Sequence, residues 1–204
     1  MKTEISSYLE ASRYIQDQLI PFYSSQAGRM MFARTESVVR EQLPQYVREV
    51  EGLAEGAGQD FKTMMMLNIN FPSGGGKDIL DKGCTSLIVP AGDSVRPMVL
   101  GHTEDGPPEA RGRMFIMEVE IPASQDSPGE NFTALSYPGS LAGRALGVNH
   151  LHGFVWSMNS VSPATTTTGI REYLVDYYIL PSASHLISSA RQFLTRLLAG
   201  KGKS

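Results

Sequence analysis

The chain carries one cysteine, Cys84, in the run Lys82-Gly83-Cys84-Thr85-Ser86, where a glycine leads into a β-rich stretch. A lone thiol cannot close a disulfide within its own chain, so it serves either packing or chemistry. Its neighbours favour chemistry. Gly83 leaves the carbonyl before the thiol sterically open, and Thr85 and Ser86 add hydroxyls just beyond it. A second polar cluster, Gly101-His102-Thr103-Glu104-Asp105-Gly106, closes the next apolar run. If residues 84–89 and 98–103 pair as neighbouring strands, Asp105 falls near the start of the Cys84 strand and brings a carboxylate close to the thiol or its amine. Asp105 also has an ordinary reading as a turn residue beside Gly106. Glu104 reads as a solvated carboxylate. His102 reads first as a buried, hydrogen-bonded histidine and second as a cleft residue.

These residues need a scaffold, and the chain changes texture around them. Residues 1 to about 70 read as helical. Tyr8, Leu9, Ser12, Ile15, Gln16 and Leu19 form a partly apolar face that Pro21 ends. A second pattern runs from Val38 to Leu53, with Pro44 at a new helix start and Gly56 and Gly58 as closing caps. Asp60 caps a short helix from Phe61 to Asn68, whose Met64, Met65 and Met66 read as core filler. Gly74-Gly75-Gly76-Lys77 reads as a tether, since the spacing of a phosphate loop is missing. Strands are expected at Thr85–Val89, Pro97–His102, Met114–Ile121, Phe132–Tyr137, Ala145–Asn149 and Phe154–Asn159. Ser184 to Ala199 has helical spacing.

At 204 residues one structural domain with a sizeable core is expected, and 41% hydrophobic against 19% charged residues reads as globular. A net charge of −3 without a dense basic stripe argues against nucleic acid. No apolar run approaches membrane-spanning length, and the first residues lack a secretory pattern. With one thiol, a reducing cytoplasmic setting is the expectation. No cofactor is expected. His150 and His152 would share a strand face, but no third ligand has convincing spacing, so no metal site is expected. Arg144 and Arg171 read as surface residues first and carboxylate anchors second.

Taken in order, these stretches resemble the isopenicillin-N acyltransferase family of N-terminal nucleophile hydrolases, within it the animal branch of Tan-like β-alanyl-amine hydrolases. The resemblance rests on Glu51 to Gly58 with Asp60-Phe61, on Gly83-Cys84-Thr85-Ser86, and on Gly101 to Asp105. It continues through Leu135 to Gly143, Asn149 to Gly153, Trp156 to Asn159 and Arg191 to Arg196. It implies an α+β fold, a four-layer αββα sandwich. It implies a helical N-terminal (pro) segment over 1–83 and the start of the catalytic segment over 84–204. It also implies self-cleavage at Gly83–Cys84 and a Cys84 acyl-enzyme that hydrolyses or transfers the acyl group of a small N-acylated amine. Asp105 matches the acidic residue that holds the Cys84 amine, and Asn159 an asparagine that donates to the oxyanion. A weaker expectation places Thr85, His102, Thr103 and Tyr137 around the substrate.

Members of that family continue past the helix matching residues 191–198. The expectation is therefore a truncated chain holding the first half of the sandwich, with exposed sheet that could self-associate. The alternative function is a catalytically incomplete homologue that acts as a binding or regulatory partner.

Overall fold

A computed structural model describes residues 1–69, 84–92, 97–124 and 129–159. Residues 74–77, read above as a tether, Gly83, Arg171 and residues 184–199 lie outside the described residues.

The N-terminal layer is helical. Helix α1 (Lys2–Ala11) stops at Ser12, whose backbone is extended, and a π-helical turn, Tyr14–Leu19, carries the chain into α2 (Ile20–Ser24). Pro21 therefore lies in the first turn of a helix instead of ending one, which its missing N–H permits. Helix α3 (Gln26–Gln42) is capped by the Ser25 hydroxyl, and α4 (Pro44–Ala57) begins on Pro44. Gly56 stays inside α4, and the cap is Gly58, which takes the left-handed conformation (φ 65°) that costs glycine no Cβ clash. In α5 (Phe61–Asn68) the Asp60 carboxylate accepts from the Thr63 N–H, and Met64, Met65 and Met66 are fully buried. Tyr46, Val47, Val50 and Ala54 form the buried stripe of α4 at helical spacing.

Six strands follow. β1 (Cys84–Val89) and β2 (Val99–Glu104) make a two-stranded antiparallel ribbon. β3 (Phe115–Ile121), β4 (Glu130–Ser136), β5 (Leu146–Asn149) and β6 (Phe154–Ser157) make a four-stranded antiparallel meander in that order. β2 starts and ends two residues later than the pattern suggested, which brings Glu104 into the ladder, and β6 stops before Asn159. The helical core takes in Tyr137 and Ala145 beside the meander, while Phe132, Ala134 and Ala142 pack with Met117, Val119 and Trp156 in a second cluster. The molecule is thus α+β. Leu87, Ile88, Val99 and Ile116 stand more than half exposed.

Asn68, at the end of α5, joins the helices to the loop after β4. Its amide donates to the carbonyls of Met64 (2.8 Å) and Gly139 (2.9 Å), and its oxygen accepts from the Leu141 N–H (2.7 Å). The side chain is 5% exposed, so water cannot replace these partners. Asn68→Ala is expected to lower unfolding stability by about 2–4 kcal/mol, because two backbone groups of the loop lose their partner. Urea unfolding of the whole chain measures it; a change below about 0.5 kcal/mol, the size of a neutral surface substitution, contradicts the assignment.

Candidate active site

The ribbon sets the site. Its antiparallel register places Cys84 opposite Glu104, Thr85 opposite Thr103 and Ser86 opposite His102. Side chains alternate along a strand, so Cys84, Ser86, His102 and Glu104 share one face. Thr85 and Thr103 fall on the other, exposed face and do not reach the cleft, although Thr103 Oγ1 accepts from the Thr85 N–H (3.2 Å).

On the inner face the half-buried thiol of Cys84 points at Glu104, with Sγ 3.9 Å from Oε1. The same Oε1 lies 2.6 Å from His102 Nε2, and Oε2 accepts from the Tyr137 hydroxyl. The His102 side chain is 1% exposed and that of Glu104 is 18% exposed. Glu104 is therefore not a solvated strand-end charge: it is the acceptor on which a thiol, an imidazole and a phenol converge. Among the sequence cues only strand register could have revealed this, since a one-residue shift, from 98–103 to 99–104 against 84–89, carries position 104 opposite Cys84.

Burial first, and then the bond to Glu104 and its charge, push the Tyr137 phenol above the ordinary tyrosine range. Tyr137 therefore stays protonated and keeps donating at any ordinary pH. Gly106 makes room for it, because a Cβ there would meet the Tyr137 hydroxyl at 2.4 Å.

Ser86 is the second hub. Its Oγ lies 3.0 Å from His102 Nδ1, 2.8 Å from Ser157 Oγ and 2.9 Å from Asn159 Oδ1. A hydroxyl has one proton to give. Donated to Asn159, it leaves Ser86 accepting from Ser157 and from an Nδ1–H of His102. Nε2 of the imidazole is then aimed at Glu104 and the thiol.

Cys84, Glu104, Asp105, Tyr137, Ser140 and Arg144 line one cleft, with Met158 at its wall. Asp105 is exposed there, next along the chain from Glu104. The buried Ser140 hydroxyl has no partner among the described residues, and the Arg144 guanidinium lies 5.9 Å from the Tyr137 ring centre. The structure thus brings Cys84, Asp105 and Tyr137 to one cleft, seats His102 behind it, and ties Asn159 to the thiol strand through Ser86. His150 is engaged with Thr133 Oγ1 (2.8 Å). Among the described residues no helix is long and apolar enough to cross a membrane.

A curated relative, the beta-alanyl-dopamine/carcinine hydrolase of Drosophila melanogaster, is 31% identical over 178 residues. The alignment covers 81% of this chain and 44% of the relative, so the chain spans less than half the relative's length. A sequence model of acyl-coenzyme A:6-aminopenicillanic acid acyl-transferase matches residues 91–199, a stretch that holds His102, Glu104, Asp105, Tyr137 and Asn159. Because that match takes in more than half of the residues, the chain belongs to the acyl-coenzyme A:6-aminopenicillanic acid acyl-transferase family, with its similarity on the side of the β-alanyl-amine hydrolases.

Proposed function

We propose that this chain is an autoprocessed cysteine amidohydrolase or acyltransferase that acts on a small N-acylated amine through an acyl group carried on Cys84. The observation that carries the reading is the Cys84 thiol in a cleft beside two carboxylates, Glu104 and Asp105. The family and the hydrolase relative support the same chemistry, and the relative's name suggests a β-alanyl amide as the first substrate to try. Two carboxylates at the cleft suit the free ammonium of such a group. The Ser140 hydroxyl, without a partner among the described residues, offers a hydrogen bond to its amide.

In this mechanism residues 1–83 are the pro segment and residues 84–204 begin the catalytic one, together in an αββα layout. The Cys84 sulfur attacks the Gly83 carbonyl, the acyl group passes from nitrogen to sulfur, and the Cys84 nitrogen leaves as a free amine. Water then cleaves the thioester, leaving the Gly83 carboxylate and the Cys84 thiol. No α-amine exists before this first cut, so its proton acceptor must come from elsewhere, and Glu104 is the carboxylate in contact with the sulfur. After the cut the amine, whose ordinary pKa is about 7.7–8.0, takes the thiol proton near neutral pH. Asp105 orients that amine and Asn159 donates to the oxyanion. The thiolate attacks the substrate carbonyl, the amine product leaves with a proton, and water or a second nucleophile releases the acyl group.

Mass spectrometry of the purified protein, coupled to an assay of amine release from N-β-alanyl amines, tests the reading. New termini at Gly83 and Cys84 with amine release are expected. An intact chain whose Cys84 resists alkylation, with no amine release, would sink it.

A further inference from the structure

We infer that Cys84, His102 and Glu104 form a three-donor site for a zinc-class divalent cation, which holds the thiol and competes with substrate for it. Sγ, the imidazole nitrogen and a carboxylate oxygen of these residues all lie within 4.8 Å of one another, and all three residues are partly buried. Thiolate, imidazole and carboxylate together are the donor set that zinc favours.

The distances suit it. Tetrahedral zinc with ordinary bond lengths sets sulfur and oxygen about 3.6 Å apart, and nitrogen and oxygen about 3.4 Å apart. The sulfur and Oε1 stand at 3.9 Å, close to the first value. Nε2 and Oε1 stand at 2.6 Å, the length of a bond with a proton between them. Replacing that proton by a metal ion opens the pair by about 0.8 Å, a small rotation of two side chains.

An independent observation comes from the far side of the imidazole. A metal-binding histidine is ordinarily oriented by a hydrogen bond from its other nitrogen. Here Nδ1 lies 3.0 Å from Ser86 Oγ, and Ser86 in turn donates to Asn159 Oδ1. That relay keeps a proton on Nδ1, so Nε2 can coordinate once it gives up the proton it shares with Glu104. Tyr137 holds the other oxygen of Glu104, so the carboxylate is oriented too. Cys84 and Glu104 both line the cleft, so the fourth position faces it and is open to water or ligand. The pair His150 and His152 is a poorer candidate, since His150 is bonded to Thr133.

Binding does not require the hydrolase reading; competition with substrate does rest on it. The test titrates cobalt(II), then zinc(II), into the purified, reduced, chelator-treated full chain. One equivalent of cobalt is expected to give a sulfur-to-cobalt charge-transfer band, which zinc removes by displacement. Cys84→Ala abolishes the band. Ser86→Ala weakens binding about ten-fold, as loss of an outer-shell partner does. His102→Ala weakens it at least as much, with His102→Gln as the second variant should the alanine form not fold. His150→Ala and His152→Ala leave it unchanged. No charge-transfer band at one equivalent overturns the site, as does binding that survives the His102 variants but is lost with His150 or His152. Amide hydrolysis in the metal-free samples keeps the two readings apart. No turnover there counts against the hydrolase, while the spectra alone decide the metal.

Discussion

Cys84→Ala is expected to yield one uncut chain of 204 residues with amide hydrolysis reduced by at least about 10⁴-fold. In the proposed mechanism one sulfur serves twice, first against the Gly83 carbonyl and then against the substrate. Removing it eliminates both steps, and no other cysteine exists to take them over. The substitution should leave the fold intact. The thiol is half-buried at a cleft wall, and its one polar contact within the described residues is the long one to Glu104, which keeps His102 and Tyr137 as donors. Mass spectrometry and amine release read the two losses separately. A cut chain in the alanine variant would show that another group cleaves the bond. An uncut wild type that still hydrolyses amides would show that the thiol works without a free amine.

Much of the scaffold was legible in the sequence because it rests on short-range physics. Pro44, Gly58 and Asp60 mark helix boundaries through restricted φ, left-handed φ and a side-chain cap, each a property of one residue and its immediate neighbours. The alternation from Phe115 to Ile121 sets the faces of β3 in the same local way. Pro21 misled because a proline tolerated in the first turn looks, in sequence, like one that ends a helix. At the site the pairing of the Cys84 strand with the next one followed from two apolar runs and a loop, but its extent did not. Two further residues of β2 bring Glu104 opposite Cys84, and register is set by contacts that the strand itself does not encode. The same limit explains Thr85 and Thr103, whose nearness in sequence to the thiol says nothing about the sheet face they occupy. Ser86 was invisible as an anchor because a serine gains its role only from what the fold places around it.

Glu104→Gln and Asp105→Asn should fail at different steps, and that difference tests the division of labour between the two carboxylates. Glutamine keeps the size of residue 104, and its one carbonyl oxygen can still accept from either Tyr137 or His102, but it no longer offers a carboxylate to the thiol proton. Slowing of the Gly83–Cys84 cut by about 10²–10⁴-fold is expected, the usual worth of a positioned general base. Asp105→Asn should leave that first cut near its normal rate, because the amine it orients does not yet exist. It should instead depress steady-state hydrolysis by the matured protein. The measurement is a time course of fragment appearance after cell-free synthesis, followed by hydrolysis rates of whatever has matured. Cutting at the normal rate in Glu104→Gln removes Glu104 from the first step. Equal slowing of the cut in both variants means that the carboxylates act as one unit, as two neighbouring acids facing one cleft can when their field, and not a single proton transfer, controls the sulfur.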